Sequence, residues 1–248
     1  MGKGARTRGP KRGSPVTRMT TGRPWGSVAA VAAVVVFAGA VFGYIYVRSG
    51  DQRERQAALA PFAPSAANQD PSLQIPGIVV KSYRGADHVA PTQRVAYDGN
   101  PPYGGPHDAA WAACDGVVYS VPIRAENAVH SLEHGAVWIA YHPDKIVGTD
   151  LEGLRGRARG NNYVFMSPVP TMNSPVSLQS WGHQLTLDDA NDERIDQFIS
   201  ALRTNRFTHP EVGATCAPLG PGRFDPANPP PFDPTPHGPD AVPVDGAK

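Results

Sequence analysis

The feature that most limits what this chain can become lies near its start. Residues 25 to 47 read WGSVAAVAAVVVFAGAVFGYIYV and carry no charge. A helix of ~20 apolar residues spans a bilayer, and this run has that length with Trp25 at one end and Tyr44 and Tyr46 at the other, where interfacial aromatics sit. The preceding residues, 1 to 24, contain Lys3, Arg6, Arg8, Lys11, Arg12, Arg18 and Arg23 and no acid. Such an arm can bind nucleic acid, but next to a span it acts as the positive flank that stays in the cytoplasm. A signal peptide has an apolar core of only ~7–15 residues, and here the run continues past the small residues AGA at 38 to 40. The expectation is a single-pass anchor in the cell membrane, with lipid bilayer contact over residues 25–47, a cytoplasmic N-terminus, an extracytoplasmic C-terminal domain and no nucleic-acid partner.

Cysteine usage agrees. Cys114 and Cys216 are the only two in the chain, and both follow the span, on the side where disulfides persist. They are expected to be bonded, closing a loop that the chain-entropy model values at up to ~4–5 kcal/mol. Residues 48–75 read as a short helical stem to about Leu59 and then a linker. From Ala217 to the end the chain is proline-rich without apolar periodicity, so a disordered tail is expected over 217–248.

The folded domain is thereby placed at 76–216. Short β-branched and aromatic runs bounded by Gly, Pro, Asn or Asp predict strands at 77–83, 116–122, 135–142, 162–168 and 183–188. Between 188 and 205, Ile195, Phe198, Ile199 and Leu202 recur at i, i+3, i+4 and i+7, the stripe of a packed helix, with Asp188 or Asp189 as its cap. The predicted class is α+β: a small, mostly antiparallel sheet with one packed helix, preceded by the transmembrane helix.

Chemistry concentrates in the histidines. NPPYGGPH (100–107) sets three prolines and two glycines before His107, a composition suited to a loop of fixed shape. HSLEHG (130–135) places His130 and His134 four apart, on one face if helical, with Glu133 between them. His-x-x-Glu-His is also the pattern of the inverted zincins, in which the histidines bind zinc and the glutamate is general base. Those peptidases carry the motif inside a long helix and need a further ligand downstream. Here a strand is expected right after Gly135, and Glu211 is the one downstream candidate. FMSPVPTMNSP (165–175) adds Met166 and Met172; thioethers select cuprous copper, although methionine is more often core filler. The chain has no G-x-S-x-G, P-loop or G-x-G-x-x-G pattern.

HVAPTQRVAYDGNPPYGGPH (88–107), AACDGVVYSVP (112–122), VHSLEHGAVWIAYHP (129–143) and SWGHQLTLDDANDERIDQFI (180–199), in this order, resemble the bacterial membrane-anchored family catalogued as domain of unknown function 3105. The similarity covers roughly residues 76 to 212 and matches His88, Pro101-Pro102, Gly105-Pro106-His107, His130, Glu133, His134, Gly135 and Trp181-Gly182. Tyr103 and Gly104 stand where that family usually has Thr-Ser. The resemblance implies a single-span extracytoplasmic protein and brings no activity with it.

Three functional readings follow. The first is a metal-binding domain, copper before zinc, with His107, His130 and His134 converging to within about 4 Å, Glu133 supporting them and Met166 as a soft ligand. The second is a cell-envelope interaction module with structural histidines and a protein partner. The third is a zinc hydrolase built on His-x-x-Glu-His.

Overall fold

The computed structural model describes residues 25–85 and 87–244; the basic arm expected at 1–24 lies outside them. The described residues divide into two compact units, one up to Glu54 and one from Arg55 onward. The apolar run forms the start of helix α1 (Trp25–Leu59), which has no buried residue and is long and apolar enough to cross a membrane.

The second unit contains β1 (Val79–Val80), β2 (His88–Val89), β3 (Val95–Ala96), β4 (His107–Asp108), β5 (Asp115–Val118), α2 (Ala125–Glu133), β6 (Val137–Tyr141), α3 (Gly148–Ala158), β7 (Val164–Pro168), β8 (Val176–Ser180), β9 (His183–Leu187), α4 (Arg194–Leu202) and β10 (Val242–Pro243). Six strands form one mixed sheet in the order β1-β9-β8-β6-β7-β5. The β1–β9, β9–β8 and β8–β6 pairs are antiparallel, and β6–β7 and β7–β5 are parallel. The α+β class with a mostly antiparallel sheet therefore holds. The sequence reading overlooked α3 and β8.

Both faces of this sheet are covered. Along β6, Val137, Ile139 and Tyr141 join Leu154 of α3 and Ile195, Phe198 and Leu202 of α4 in one apolar cluster. Trp138 and Ala140 point the other way, to Val129 and Leu132 of α2, Phe165 and Trp181, as the period-2 alternation of a strand requires. The helix over 188–205 is real but starts later, at Arg194. The Asp189 and Asp192 carboxylates accept hydrogen bonds from the backbone N–H of Asn191 and Arg194, and such local turns compete with helix.

The expected linker and the expected disordered tail both pack on the domain. Residues 60–75 pack on it: Ile75 is in the core, Asn205 Nδ2 donates to the Gln69 carbonyl, and the Asp70 carboxylate lies 3.0 Å from Nε2 of His183. The tail after Ala217, read as disordered, is instead laid along the domain. Phe224 is fully buried, Arg94 pairs with Asp233 at 3.0 Å, and β10 pairs with β3 in parallel. Proline removes donors but not side-chain packing or acceptors, and composition alone does not reveal that partner surface.

Cys114 and Cys216 are bonded, with Cα atoms 4.8 Å apart and both sulfurs within the α2-side cluster. The bridge ties the strand segment before β5 to the segment that follows α4.

Candidate metal centre

Helix α2 delivers most of the site. Its end is set by Gly135, whose φ of +89° is a left-handed conformation that suits glycine. Gly135 N–H donates to the Leu132 carbonyl and Ala136 N–H to the Ser131 carbonyl, the paired bonds of a Schellman C-cap. A Cβ at Gly135 would also lie 2.7 Å from Nε2 of His209. HSLEHG is thus a helix end, with His130 and Glu133 in the last turn and His134 as C-cap. The carbonyl end of a helix favours positive charge.

The second contributor is the proline-glycine loop. Its Asn100–Pro101 peptide is cis, and residues 101–108 are all buried. A Cβ at Gly104 would lie 2.3 Å from the Tyr83 ring, so only glycine lets that aromatic pack there. Gly182 N–H donates to the Tyr103 carbonyl at 2.7 Å, fixing the loop to the β8–β9 turn. The loop ends in β4, which pairs with β2 in parallel so that His107 stands opposite His88.

The outcome is a cluster of imidazoles. Ring centroids lie 4.7 Å apart for His107 and His130, 4.7 Å for His130 and His134, 5.0 Å for His88 and His107, and 5.1 Å for His88 and His130. Two groups of donor atoms result, each with all members within 4.8 Å of one another: His88, His107, His130 and Glu133, and then His130, His134 and Glu211. The structure therefore brings His107, His130 and Glu133 together as expected. It separates His107 and His134 into two groups joined by His130, where the sequence reading put all three on one point. It adds His88 to the first group, and the second is the set that the His-x-x-Glu-His reading named, with Glu211 as the downstream donor.

Met166 does not belong here. It is fully buried on β7 in the α3/α4 cluster, across the sheet from α2. Its parity on the strand, even with Val164 and odd with Phe165, puts it there.

The tautomers can be worked out from the backbone. Nδ1 of His107 lies 2.8 Å from the Gly105 carbonyl, Nδ1 of His130 2.6 Å from that of Asp108, and Nδ1 of His134 2.7 Å from that of Thr215. A carbonyl only accepts, so each Nδ1 is the protonated nitrogen, and in the neutral ring Nε2 carries a lone pair. Carboxylates lie beside those nitrogens: Nε2 of His107 is 2.7 Å from Oε2 of Glu133, and Nε2 of His134 is 3.2 Å from Oε2 of Glu211. Despite its short contact, Nε2 of His107 makes no hydrogen bond, because the carboxylate is off the direction in which a proton on Nε2 would point. Burial first, and then the adjacent His107 ring, hold the pKa of His130 down to about 3. Burial also lowers those of His134 and His209. His130 and His134 are neutral at physiological pH.

A tetrahedral ion at ~2.0–2.1 Å from nitrogen or oxygen holds its ligand atoms ~3.3 Å apart, and a square-planar one sets trans ligands ~4.1 Å apart. The His134–Glu211 separation matches the first value. The His107–Glu133 pair is tighter and would open by about half an ångström. Nitrogen and oxygen donors of this kind suit zinc or cupric copper, and imidazoles locked through Nδ1 to carbonyls are arranged as metal-ligating histidines usually are.

The ligand set of the peptidase reading, His130, His134 and Glu211, is brought together, but the rest of that geometry is not. α2 spans only Ala125–Glu133, and Glu133, the general base in that reading, is fully buried against His107. A cavity of about 620 Å³ lies elsewhere, between Arg94, Arg124 and the tail at Pro230–His237.

The chain belongs to the family described as Protein of unknown function (DUF3105), which matches residues 88–218, more than half of its length. No curated protein and no solved structure matches it.

Proposed function

We propose that this member of the family is a membrane-anchored, extracytoplasmic domain that binds zinc or copper through His107, His130 and Glu133, with His88 completing the set. The observation that supports it most is the lone-pair arrangement at His107. Nε2 of His107 lies 2.7 Å from a carboxylate oxygen of Glu133, both fully buried, without the geometry of a hydrogen bond. Two acceptors that close repel unless a cation or a well-placed proton lies between them. With Met166 on the far side of the sheet, the grouped donors are nitrogen and oxygen, which suit cupric copper and zinc better than cuprous copper.

Helix α1 anchors the protein, the basic arm holds the N-terminus in the cytoplasm, and the disulfide accords with an oxidising compartment. Bound metal would supply either a stored ion or a Lewis acid; His107, His130 and Glu133 hold it, and the Gly105 and Asp108 carbonyls orient the rings. The test is a calorimetric titration of the full chain in detergent micelles with Zn(II) and Cu(II). Wild type should bind, and Glu133→Gln should weaken binding by about 10–100-fold. Absence of binding by wild type would reject this reading and leave an envelope interaction module with structural histidines and a protein partner. The docked proline-rich tail would be the observation to pursue in that case.

A further inference from the structure

His130 belongs to both donor groups but has one lone pair to give, because its Nδ1–H is spent on the Asp108 carbonyl. An ion bound by His107 and Glu133 and an ion bound by His134 and Glu211 cannot both take that nitrogen. Resting on the metal reading above, we propose that His130, His134 and Glu211 form a second position for the same late first-row divalent ion, filled in alternation with the first. The ion is taken up at Glu211 and handed across His130 to His107 and Glu133.

The outer position has its own built geometry. Nδ1–H of His134 donates to the Thr215 carbonyl, which leaves Nε2 as the donor atom, 3.2 Å from a Glu211 carboxylate oxygen, the spacing of two ligands on one tetrahedral ion. The Glu211 backbone N–H donates to the Glu133 carbonyl at 3.1 Å, which ties the outer carboxylate to the peptide of the inner one. Both positions sit at the carbonyl end of α2, where a cation is favoured.

Accessibility and donor number set the direction. The Glu211 side chain is 40% exposed, whereas those of His107 and Glu133 are wholly buried. The outer group offers three donors and the inner one four, so the outer captures and the inner retains. His88 is the exposed member of the inner group and gives a competing route that the experiment must separate.

Two tryptophans report on the two positions. The Trp111 ring is 4.9 Å from that of His134 and 5.6 Å from that of His130, and Trp181 is 5.8 Å from His107. The experiment is stopped-flow fluorescence of the full chain in detergent micelles mixed with Cu(II) alone, a paramagnetic quencher. Trp181→Phe leaves Trp111 as the local reporter, and Trp111→Phe leaves Trp181. The expected result is one equivalent of Cu(II) per chain, with Trp111 quenched first and Trp181 after a lag. Glu211→Gln, a surface change that spares the fold, should slow the Trp181 phase about tenfold while one equivalent still binds. Glu133→Gln should leave Trp111 quenching and remove the delayed phase. Simultaneous quenching of both reporters would overturn the second position. So would unchanged kinetics in Glu211→Gln, slowing by His88→Ala alone, or two equivalents bound together. If wild type binds no Cu(II) at all, both readings fail; if it binds one equivalent and Glu211→Gln changes nothing, only this one does.

Discussion

Nε2 of His107 lies 2.7 Å from Oε2 of Glu133, and neither side chain is exposed to solvent. The two residues are far apart in sequence and meet because a proline-glycine loop and a Schellman-capped helix end are packed against one another. A Cβ at Gly85 would lie 2.6 Å from the other carboxylate oxygen, Oε1, so the chain before β2 closes over this pair only as glycine. Gly85→Ala should therefore displace Glu133 and weaken zinc binding about tenfold or more, with little change in the far-UV circular dichroism spectrum. Unaltered affinity would show that Glu133 is not held from that side.

The helix end can be probed separately. Gly135 has φ +89° and a Cβ there would strike His209, whereas Gly148 has φ +58° and open space around it. Gly135→Ala should cost the left-handed penalty of ~1–2 kcal/mol plus the displacement of His209, and Gly148→Ala the penalty alone. Denaturant midpoints of the two variants check this. Equal losses would mean that His209 gives way freely.

Acid should destabilise the metal-free domain in a defined window. His130 has its pKa lowered from 6.5 to about 3 by burial and by His107, and His134 and His209 shift in the same direction. Between the folded and unfolded values the unfolded chain binds more protons, so stability rises with pH there and is lost as pH falls below ~6.5. Above that window these groups contribute nothing. The urea midpoint should be lower at about pH 5 than at about pH 7.5, and His130→Gln should shrink the difference. A midpoint that is unchanged or higher in acid would contradict the neutral, buried assignment.

The disulfide should matter to both fold and site. Cys114–Cys216 spans 102 residues, and Thr215, whose carbonyl orients His134, is the neighbour of Cys216. Replacing both cysteines by serine should cost roughly 2–5 kcal/mol and lower the melting temperature. Stability equal to wild type would show that packing alone holds the two segments.

Topology is open to direct labelling. A cysteine introduced at Ala60, just beyond α1, should react with a membrane-impermeant maleimide on intact cells. Reaction only after lysis would reverse the orientation.

Much of this was legible in the sequence, for identifiable reasons. The stripe Ile195, Phe198, Leu202 predicted α4, and β6 and β7 stand out because β-branched and aromatic residues are concentrated there. α3 escaped notice because GTDLEGLRGRA holds three glycines and buries only Leu154 and Ala158, leaving no apolar stripe. β8 buries Ser177 and Gln179, so polar residues mask a fully covered strand. His130, Glu133 and His134 are local and were visible as a motif. His88 is brought to His107 by a two-residue parallel ladder, and Glu211 to His134 by the chain after α4; neither contact leaves a spacing in the sequence. Met166 was misassigned for the complementary reason: residue type suggests a ligand, but only strand parity decides the face.

The most direct test of the central claim is the X-ray absorption spectrum of the full chain in detergent micelles, loaded with Zn(II) and dialysed. About one equivalent per chain should be retained, with nitrogen and oxygen neighbours at ~2.0–2.1 Å, imidazole outer-shell scattering and no sulfur at ~2.3 Å. His130→Ala should retain none. No retained zinc in the wild type, or retention undiminished in His130→Ala, would contradict it.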